Sequence, residues 1–504
     1  MITLRRSKLT AGVRKRRRQA QLITRAGFIT VMVTFTVFLL GCPSANDDSN
    51  SESPLPSVQI FETTGDQSKL LEQQPSLTFV GGTVSSGNVI NVDPSKRYQV
   101  IDGFGASLSD SSAWLIWNKL NATQQISLMN QFFSRQDGIG LSFLRQPMGA
   151  TDFTVSGNYS YDDLAAGQID SSLNNFSIAH DNTYILPLLK RALSVNPGIK
   201  LMALPWSAPA WMKNTATMNG GSVDPQYYSS LAQYFVKFVQ AYKEAGLPIY
   251  AVAVQNEPLY STSAYPTTDL PPEEEARFIA DFLAPALTRA SLSDVKILGY
   301  EHNWDNISYA KSLLSGRAAP FLAGNSFHCY AGDSSAQTAV KEDAPDKDIW
   351  FTECSGITSS HFADDLVWNA EHLLIGATRN WARSVSLWNL ALDQNSGPRN
   401  GGCANCRGIV TIDDSVLPAR VNLNVEYYIL GHVSKFVAPG AHRIDSNTFG
   451  PGLVEDVAFQ NPDGSVVVVV LNSGSSQNSF TVQFEKNTLT YSLPGGALAT
   501  FLWK

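Results

Sequence analysis

The chain has 504 residues, 43% of them hydrophobic and 16% charged, a composition too apolar for a disordered chain. The length admits two or three average domains, or one large α/β barrel with a satellite. Its 25 Phe, 17 Tyr and 10 Trp supply a core and leave rings to line a pocket. The formal charge of −7 hides an asymmetry, because residues 1–41 hold nine basic residues and no acid. Setting those nine aside leaves 28 Lys and Arg against 44 Asp and Glu, a balance of −16. A nucleic-acid partner is therefore excluded, since phosphate binding needs a basic face.

The basic cluster, Arg5 to Arg25, precedes an apolar run from Ala26 to Leu40 that is short for a transmembrane helix. This is the layout of a secretory signal. It ends in Leu39-Leu40-Gly41-Cys42, which resembles a bacterial lipobox and implies a lipid anchor at Cys42. The alternative is a signal anchor that is never cut. Pro43 stands where Asp would hold such a protein at an inner membrane, so the resemblance implies an exported lipoprotein of the outer membrane or cell surface. Residues 42–56, rich in Ser, Asn, Asp and Pro, read as a flexible tether.

Strand-like segments follow at Val58–Phe61 and Val89–Val92, then eight more alternate with helical or loop sequence. These eight are Val100–Gly105, Ile139–Gln146, Gly198–Pro205, Ile249–Gln255, Val295–Tyr300, Asn325–Tyr330, Asp348–Glu353 and Ser384–Asn389. Between the third and fourth, Tyr228, Leu231, Ala232, Phe235, Phe238, Val239 and Tyr242 recur at helical spacing. Asp224 is placed as N-cap, Pro225 at the first turn and Gly246 past the end. A second helix opens after Pro271-Pro272, with Glu273, Glu274 and Glu275 suiting its positive end. Eight β-then-α units predict an α/β fold of the (β/α)8 TIM-barrel type over residues 100–427, with an open sheet as the other topology.

The chain closes with Val466–Leu471 behind the turn Asn461-Pro462-Asp463-Gly464, then the alternating Phe480–Phe484 and finally Ala499–Trp503. Residues 57–99 and 428–504 are thus expected to form one β-sandwich domain built from both chain ends.

In such a barrel, function collects where strands end. Asp110, Glu257, Glu301 and Glu353 lie at strand ends, where a buried carboxylate is costly unless paired or functional. Two carboxylates facing each other across a barrel mouth suit glycosidic bond cleavage, one protonated and one ionised. A strand-end Glu that merely caps a loop or pairs with Arg is the alternative. Trp206, Trp211, Trp304, Tyr330 and Trp388 also fall near strand ends, where rings stack on the apolar faces of sugars or simply fill the core.

The run Val100-Ile101-Asp102-Gly103-Phe104-Gly105-Ala106-Ser107-Leu108-Ser109-Asp110 resembles the opening motif of glycoside hydrolase family 30. Leu144–Met148, Pro205–Trp211, Gln255–Pro258, Phe351–Glu353, Leu387–Ala391, Leu430–His432 and Val467–Asn472 are similar to that family in the same order. The resemblance implies a (β/α)8 barrel with an attached β-sandwich and a retaining double displacement on β-linked glucose. It makes Glu257 the acid/base and Glu353 the nucleophile, with carboxyl groups about 5–5.5 Å apart. It implies that Asn256 holds the sugar 2-hydroxyl, that Asp110, Trp206 and Trp388 hold the other hydroxyls, and that His328 and Tyr330 end strand 6 beside the nucleophile. Arg145 is placed to keep Glu353 ionised, with a packing role as its alternative. No cofactor and no metal is expected, because oxocarbenium chemistry needs only the two carboxylates.

The Gly-Gly-Cys-x-x-Cys-Arg loop after strand 8 departs from the glucosylceramidase pattern and resembles the β-1,6-glucanase branch. In an exported protein, Cys403 and Cys406 read as a local disulfide, since a zinc site would lack a second ligand pair. Cys329 and Cys354 point away from the pocket on neighbouring strands and are expected to remain thiols, with a disulfide as the alternative. The function so implied is an endo-β-1,6-glucanase. A glucosylceramidase-like exo-enzyme, or a surface glycan-binding protein without catalysis, is the alternative reading.

Overall fold

The computed structural model describes residues 55–504. The expected signal segment, Cys42 and nearly all of the tether lie outside the described residues.

Eight parallel strands close into a barrel in the spatial order of the chain: Gly103–Ser107, Phe143–Pro147, Lys200–Leu204, Ile249–Ala253, Lys296–Asn303, Leu322–His328, Asp348–Glu353 and Ala382–Leu387. Each coincides with one of the eight expected segments, and they are called barrel strands 1 to 8 below. Barrel strands are buried on both faces, so they carry apolar residues without alternation. In strand 3, Met202 and Leu204 fill the barrel interior with Phe143, Ala251, Leu298 and Trp350. Its Leu201 and Ala203 instead pack outward with the helices.

Helical sequence joins each strand to the next. The helix after strand 3 starts as a 3-10 turn, Pro225–Tyr227, capped by the Asp224 carboxylate, which accepts from Gln226 N–H at 3.1 Å. It continues as Tyr228–Glu244, and Gly246 then takes φ +84°, where a side chain would be strained. The helix after strand 8, Val425–Ser434, straddles the expected boundary at 427/428.

Ten strands from the two chain ends form the attached β-sandwich. Val89–Val100 links its layers, pairing in parallel with Asn478–Phe484 through its first residues and antiparallel with His442–Ser446 through its later ones. The unbroken run Val466–Asn472 is the physical consequence of a central strand covered on both sides. Val466, Val468 and Val470 face the sandwich core, while Val467, Val469 and Leu471 pack against the barrel. His432 on the Val425–Ser434 helix ties the two parts, lying 2.8 Å from the hydroxyls of both Thr63 and Thr500.

Below the interior layer, Asp102 is fully buried and gathers Arg383, Tyr250, Trp350 and Lys200. This network closes the end of the barrel opposite the strand C-termini.

Cys329 and Cys354 form a disulfide, with Cα atoms 5.4 Å apart. This overturns the expectation of thiols. His328 and Glu353 are register partners on adjacent parallel strands, so the residues after them arrive side by side with side chains on the same outer face. Cys403 and Cys406 are bonded to each other, Cα atoms 5.6 Å apart.

Candidate active site

The C-terminal mouth of the barrel gathers the acids. Glu353 ends strand 7, and Glu257 stands four residues past strand 4 in a left-handed conformation, φ +47°. Its N–H donates to the carbonyl of Glu301 at 3.1 Å, which fixes where its carboxylate emerges. His328, fully buried, places Nδ1 3.1 Å from Glu257 Oε1 and 3.9 Å from Glu353 Oε1. Those two carboxylate oxygens are therefore no more than about 7 Å apart, a bound that contains the 5–5.5 Å of a double displacement.

Arg145, completely buried on strand 2, organises the floor. Its Nη1 donates to Glu353 Oε2 at 2.6 Å, its Nη2 to Asn256 Oδ1 at 2.6 Å, and its Nε to Glu301 Oε1 at 2.9 Å. The guanidinium also lies 4.8 Å from the Trp206 ring centre and 5.6 Å from that of Trp388. These two indoles stack on each other at 4.8 Å. Because Asn256 spends its carbonyl oxygen on Arg145, its amide N–H groups remain available to a sugar hydroxyl. Tyr330 donates its hydroxyl to Glu353 Oε1 at 3.0 Å, although the residue as a whole is 47% exposed.

Three carboxylates, Glu257, Glu301 and Glu353, face two cations, Arg145 and His328. His328 is held protonated: burial works against the charge, but Glu353, Glu257 and Glu301 carry it up to about 9. Glu301 is driven down to about 2, burial being outweighed by Arg145 and His328. The cluster then carries one negative charge in excess, and a single added proton makes it neutral, the state burial favours. Burial and nearby Glu257 push Glu353 up against His328 and Arg145. Glu257, half-buried, is held down by His328, and the two titrate as one unit. Hydrogen bonding decides which of them takes the shared proton. Both Glu353 oxygens already accept from Arg145 and Tyr330, which favours its ionised form, whereas Glu257 accepts from His328 at Oε1 alone.

Asp110, expected to hold a sugar hydroxyl, is hydrogen-bonded within the protein. It begins the helix after strand 1, is 2% exposed, and its oxygens accept from Val155 N–H at 2.8 Å, from Tyr184 at 2.6 Å and lie 2.7 Å from His180. That carboxylate is spent on pinning the loop after strand 2. The acid at the mouth is Asp152, in that same loop. Burial, then Glu353 and Glu257, push it well above the usual carboxylate range, and its Oδ1 is buried without a partner. A scan of the loop after strand 2, made as for the other strand ends, would have found it.

Trp304 and Trp211 also prove structural. Trp304 is 2% exposed and stacks on Phe351, and the Trp211 indole donates to Asp162. His302, not singled out in the sequence, has Nδ1 3.8 Å from Glu257 Oε1. Glu257, His302 and His328 bring three potential metal-ligating atoms within 4.8 Å of one another, but both His328 nitrogens are engaged by carboxylates.

The disulfide loop walls one side. Cys403 and Cys406 pack with Trp206 and Trp388, and the N–H groups of Asn400 and Gly402 donate to the carbonyl of Asp152 at 2.7 and 3.1 Å. A side chain at Gly401 or Gly402 would collide with Ala264 or Asp152, so the loop can approach this closely only with glycine there.

Comparison with known proteins agrees with this geometry. Residues 101–437 match the glycosyl hydrolase family 30 TIM-barrel domain, and residues 440–501 match the family 30 β-sandwich domain. The chain is 36% identical over 408 residues to an endo-1,6-β-D-glucanase of Neurospora crassa, covering 78% of this chain and 83% of the fungal one. It is 29% identical over 495 residues to the lysosomal acid glucosylceramidase of Mus musculus, covering 92% and 93%. A solved endo-β1,6-glucanase superposes with a TM-score of 0.81 at 31% identity, covering 89% of this chain and 99% of that one.

Proposed function

Because this chain belongs to glycoside hydrolase family 30, and so is a retaining glycosidase, we propose that it is an endo-β-1,6-glucanase. The observation that carries the reading is the Cys403–Cys406 loop, which shares one apolar cluster with Trp206 and Trp388 and whose N–H groups bond the carbonyl of Asp152 near the two carboxylates. The relatives named endo-1,6-β-glucanase support the same linkage.

In the first step the Glu353 carboxylate attacks the anomeric carbon while Glu257 gives its proton to the leaving oxygen. In the second, Glu257 takes a proton from water, which displaces Glu353 from the sugar. Arg145 and Tyr330 hold Glu353 ionised and aimed. Asn256 donates to the 2-hydroxyl, a contact that tightens as the ring becomes oxocarbenium-like. Asp152 and the indoles hold the rest of the glucose. Leu259 and Tyr260, two and three residues past the acid/base and 43% and 44% exposed, offer a platform for the leaving glucan. The basic leader and the Leu-Leu-Gly-Cys ending support export with an anchor at Cys42, which radiolabelled lipid incorporation lost in Cys42→Ala would test.

The test of function is product analysis of a soluble form starting after Cys42, on a β-1,6-glucan and on aryl β-glucosides, with Glu353→Gln as control. Short β-1,6 oligosaccharides from wild type and none from the variant support the proposal. Rapid aryl-glucoside or glucosylceramide turnover with the glucan untouched moves the assignment to the glucosylceramidase reading, and sugar binding without any turnover to a binding protein.

A further inference from the structure

Glu275 lies in the first turn of the helix Pro272–Phe278 and is 1% exposed, on the outside of the barrel wall behind Glu301. Its Oε1 accepts from the N–H of Tyr300 at 3.2 Å. Tyr300 and Glu301 form a bulge in barrel strand 5: Ser326 opposes Tyr300 and Phe327 opposes His302, so Glu301 has no register partner in strand 6. Both bulge residues are left-handed, φ +71° and +56°, a strain of about 1–3 kcal/mol each that the surroundings must hold. The bulge turns Glu301 onto Arg145 and presents its carbonyl to Glu257 N–H.

The other Glu275 oxygen meets a second route to the same residue. Tyr309 Oη lies 2.6 Å from Glu275 Oε2 and 2.8 Å from the carbonyl of Leu270. The N–H of Leu270 in turn donates to the carbonyl of Pro258 at 2.6 Å, next to Glu257. A phenol has one proton and cannot donate to both acceptors. Both contacts are satisfied when Glu275 is the carboxylic acid, giving its proton to Tyr309 Oη while Tyr309 gives its own to Leu270.

We propose that Glu275, in its neutral form, is a positioning residue that clamps the backbone on both sides of Glu257, through the Tyr300–Glu301 bulge and through Tyr309, Leu270 and Pro258. The groups facing it are Tyr300 and Glu301 from strand 5 and Tyr309 from the next helix, with Glu273 on its own helix near Tyr309, and none is a cation. Burial, opposed by the Tyr309 and Tyr300 hydrogen bonds and helped by Glu301, pushes its carboxyl up to about 7. Loss of that proton sets a second anion near Glu301 and strands one acceptor of the relay.

Glutamine reproduces the neutral acid, an amide N–H towards Tyr309 and a carbonyl towards Tyr300, whereas alanine reproduces nothing. The test compares Glu275→Gln, Glu275→Ala and Tyr309→Phe on a β-1,6-glucan oligosaccharide, whose leaving sugar must take its proton from Glu257. Thermal midpoints are followed from pH 5 to 8. Glu275→Gln should keep kcat within about twofold of wild type at pH 5.5, lose less kcat between pH 6 and 8, and lose less of the midpoint between about pH 5 and 7, the window between the unfolded and folded carboxyl values. Glu275→Ala and Tyr309→Phe should lower kcat by about tenfold or more with KM within about threefold. The proposal is overturned if Glu275→Gln falls as far as Glu275→Ala, if it keeps the wild-type decline above pH 6, or if Tyr309→Phe leaves kcat unchanged. The glutamine and phenylalanine variants decide the matter even if the alanine variant does not fold.

Discussion

Replacing Arg145 with lysine tests the floor of the site, because it keeps the charge and removes the fork. The guanidinium makes two contacts to Glu301 at 2.8 and 2.9 Å and one each to Glu353 and Asn256 at 2.6 Å. A lysine amine cannot span all three partners, and Glu301 and Glu353 compete for it. Glu301, 1% exposed and also held by Thr352 at 2.9 Å, keeps the amine, leaving Glu353 with Tyr330 alone and Asn256 free to turn. Two charge-assisted hydrogen bonds at about 1.5–3 kcal/mol each are lost. Because part of that loss falls on the ground state, kcat should drop about 10²–10³-fold, or about 3–4 kcal/mol, with KM nearly unchanged. The thermal midpoint should fall by a few degrees, since Glu353 stays buried with one partner fewer. The assay is steady-state kinetics on a β-1,6-glucan oligosaccharide, with a melting curve as control. A kcat within about threefold of wild type in a folded variant would show that Arg145 only packs, and the account of Glu353 ionisation would fail.

Three further outcomes follow from the same geometry. Asp152→Ala should cost about 10²-fold in kcat/KM, while Asp110→Asn should act through stability and leave kcat/KM of the folded fraction within about threefold; the reverse order would restore Asp110 to the pocket. Tyr260→Ala should raise KM for the glucan about fivefold or more and spare a glucosyl fluoride, which carries no leaving sugar; equal effects on both would remove the platform role. Asp102 is buried, a burden that raises its pKa, but Arg383 and Lys200 outweigh it and hold the carboxyl below its ordinary value. Its contribution is thus fully present above the unfolded carboxyl range and is lost as pH falls through the lowered folded value. Asp102→Asn should destabilise the fold by about 3 kcal/mol at pH 7, and urea melts of both proteins should converge as the pH drops below about 4. A difference that is constant with pH would refute the charge argument.

What the amino-acid order determined by itself was whatever repeats locally. Eight apolar segments punctuated by helical sequence specify parallel strands covered on both faces, which need continuous apolar runs, while closure into a barrel rather than an open sheet is set by the pairing of the first strand with the eighth. The Val466–Leu471 run marks a strand between two cores for the same reason. Glu257 and Glu353 stood out as acids at the ends of apolar strands, and the family resemblance, not the strand pattern, separated them from Glu301, which pairs with Arg145. Tertiary structure decided everything that depends on which side chains meet across the barrel. Asp110 and Asp152 are both acids just past strands, yet only the folded loop after strand 2 shows the first satisfied internally and the second left unpartnered near Glu257 and Glu353. Cys329 and Cys354 are joined because register, which sequence spacing does not state, brings adjacent strands level. Glu275 reads as one of three acids at a helix start, and only the bulge behind it, a feature of strand pairing, gives its buried carboxyl a task.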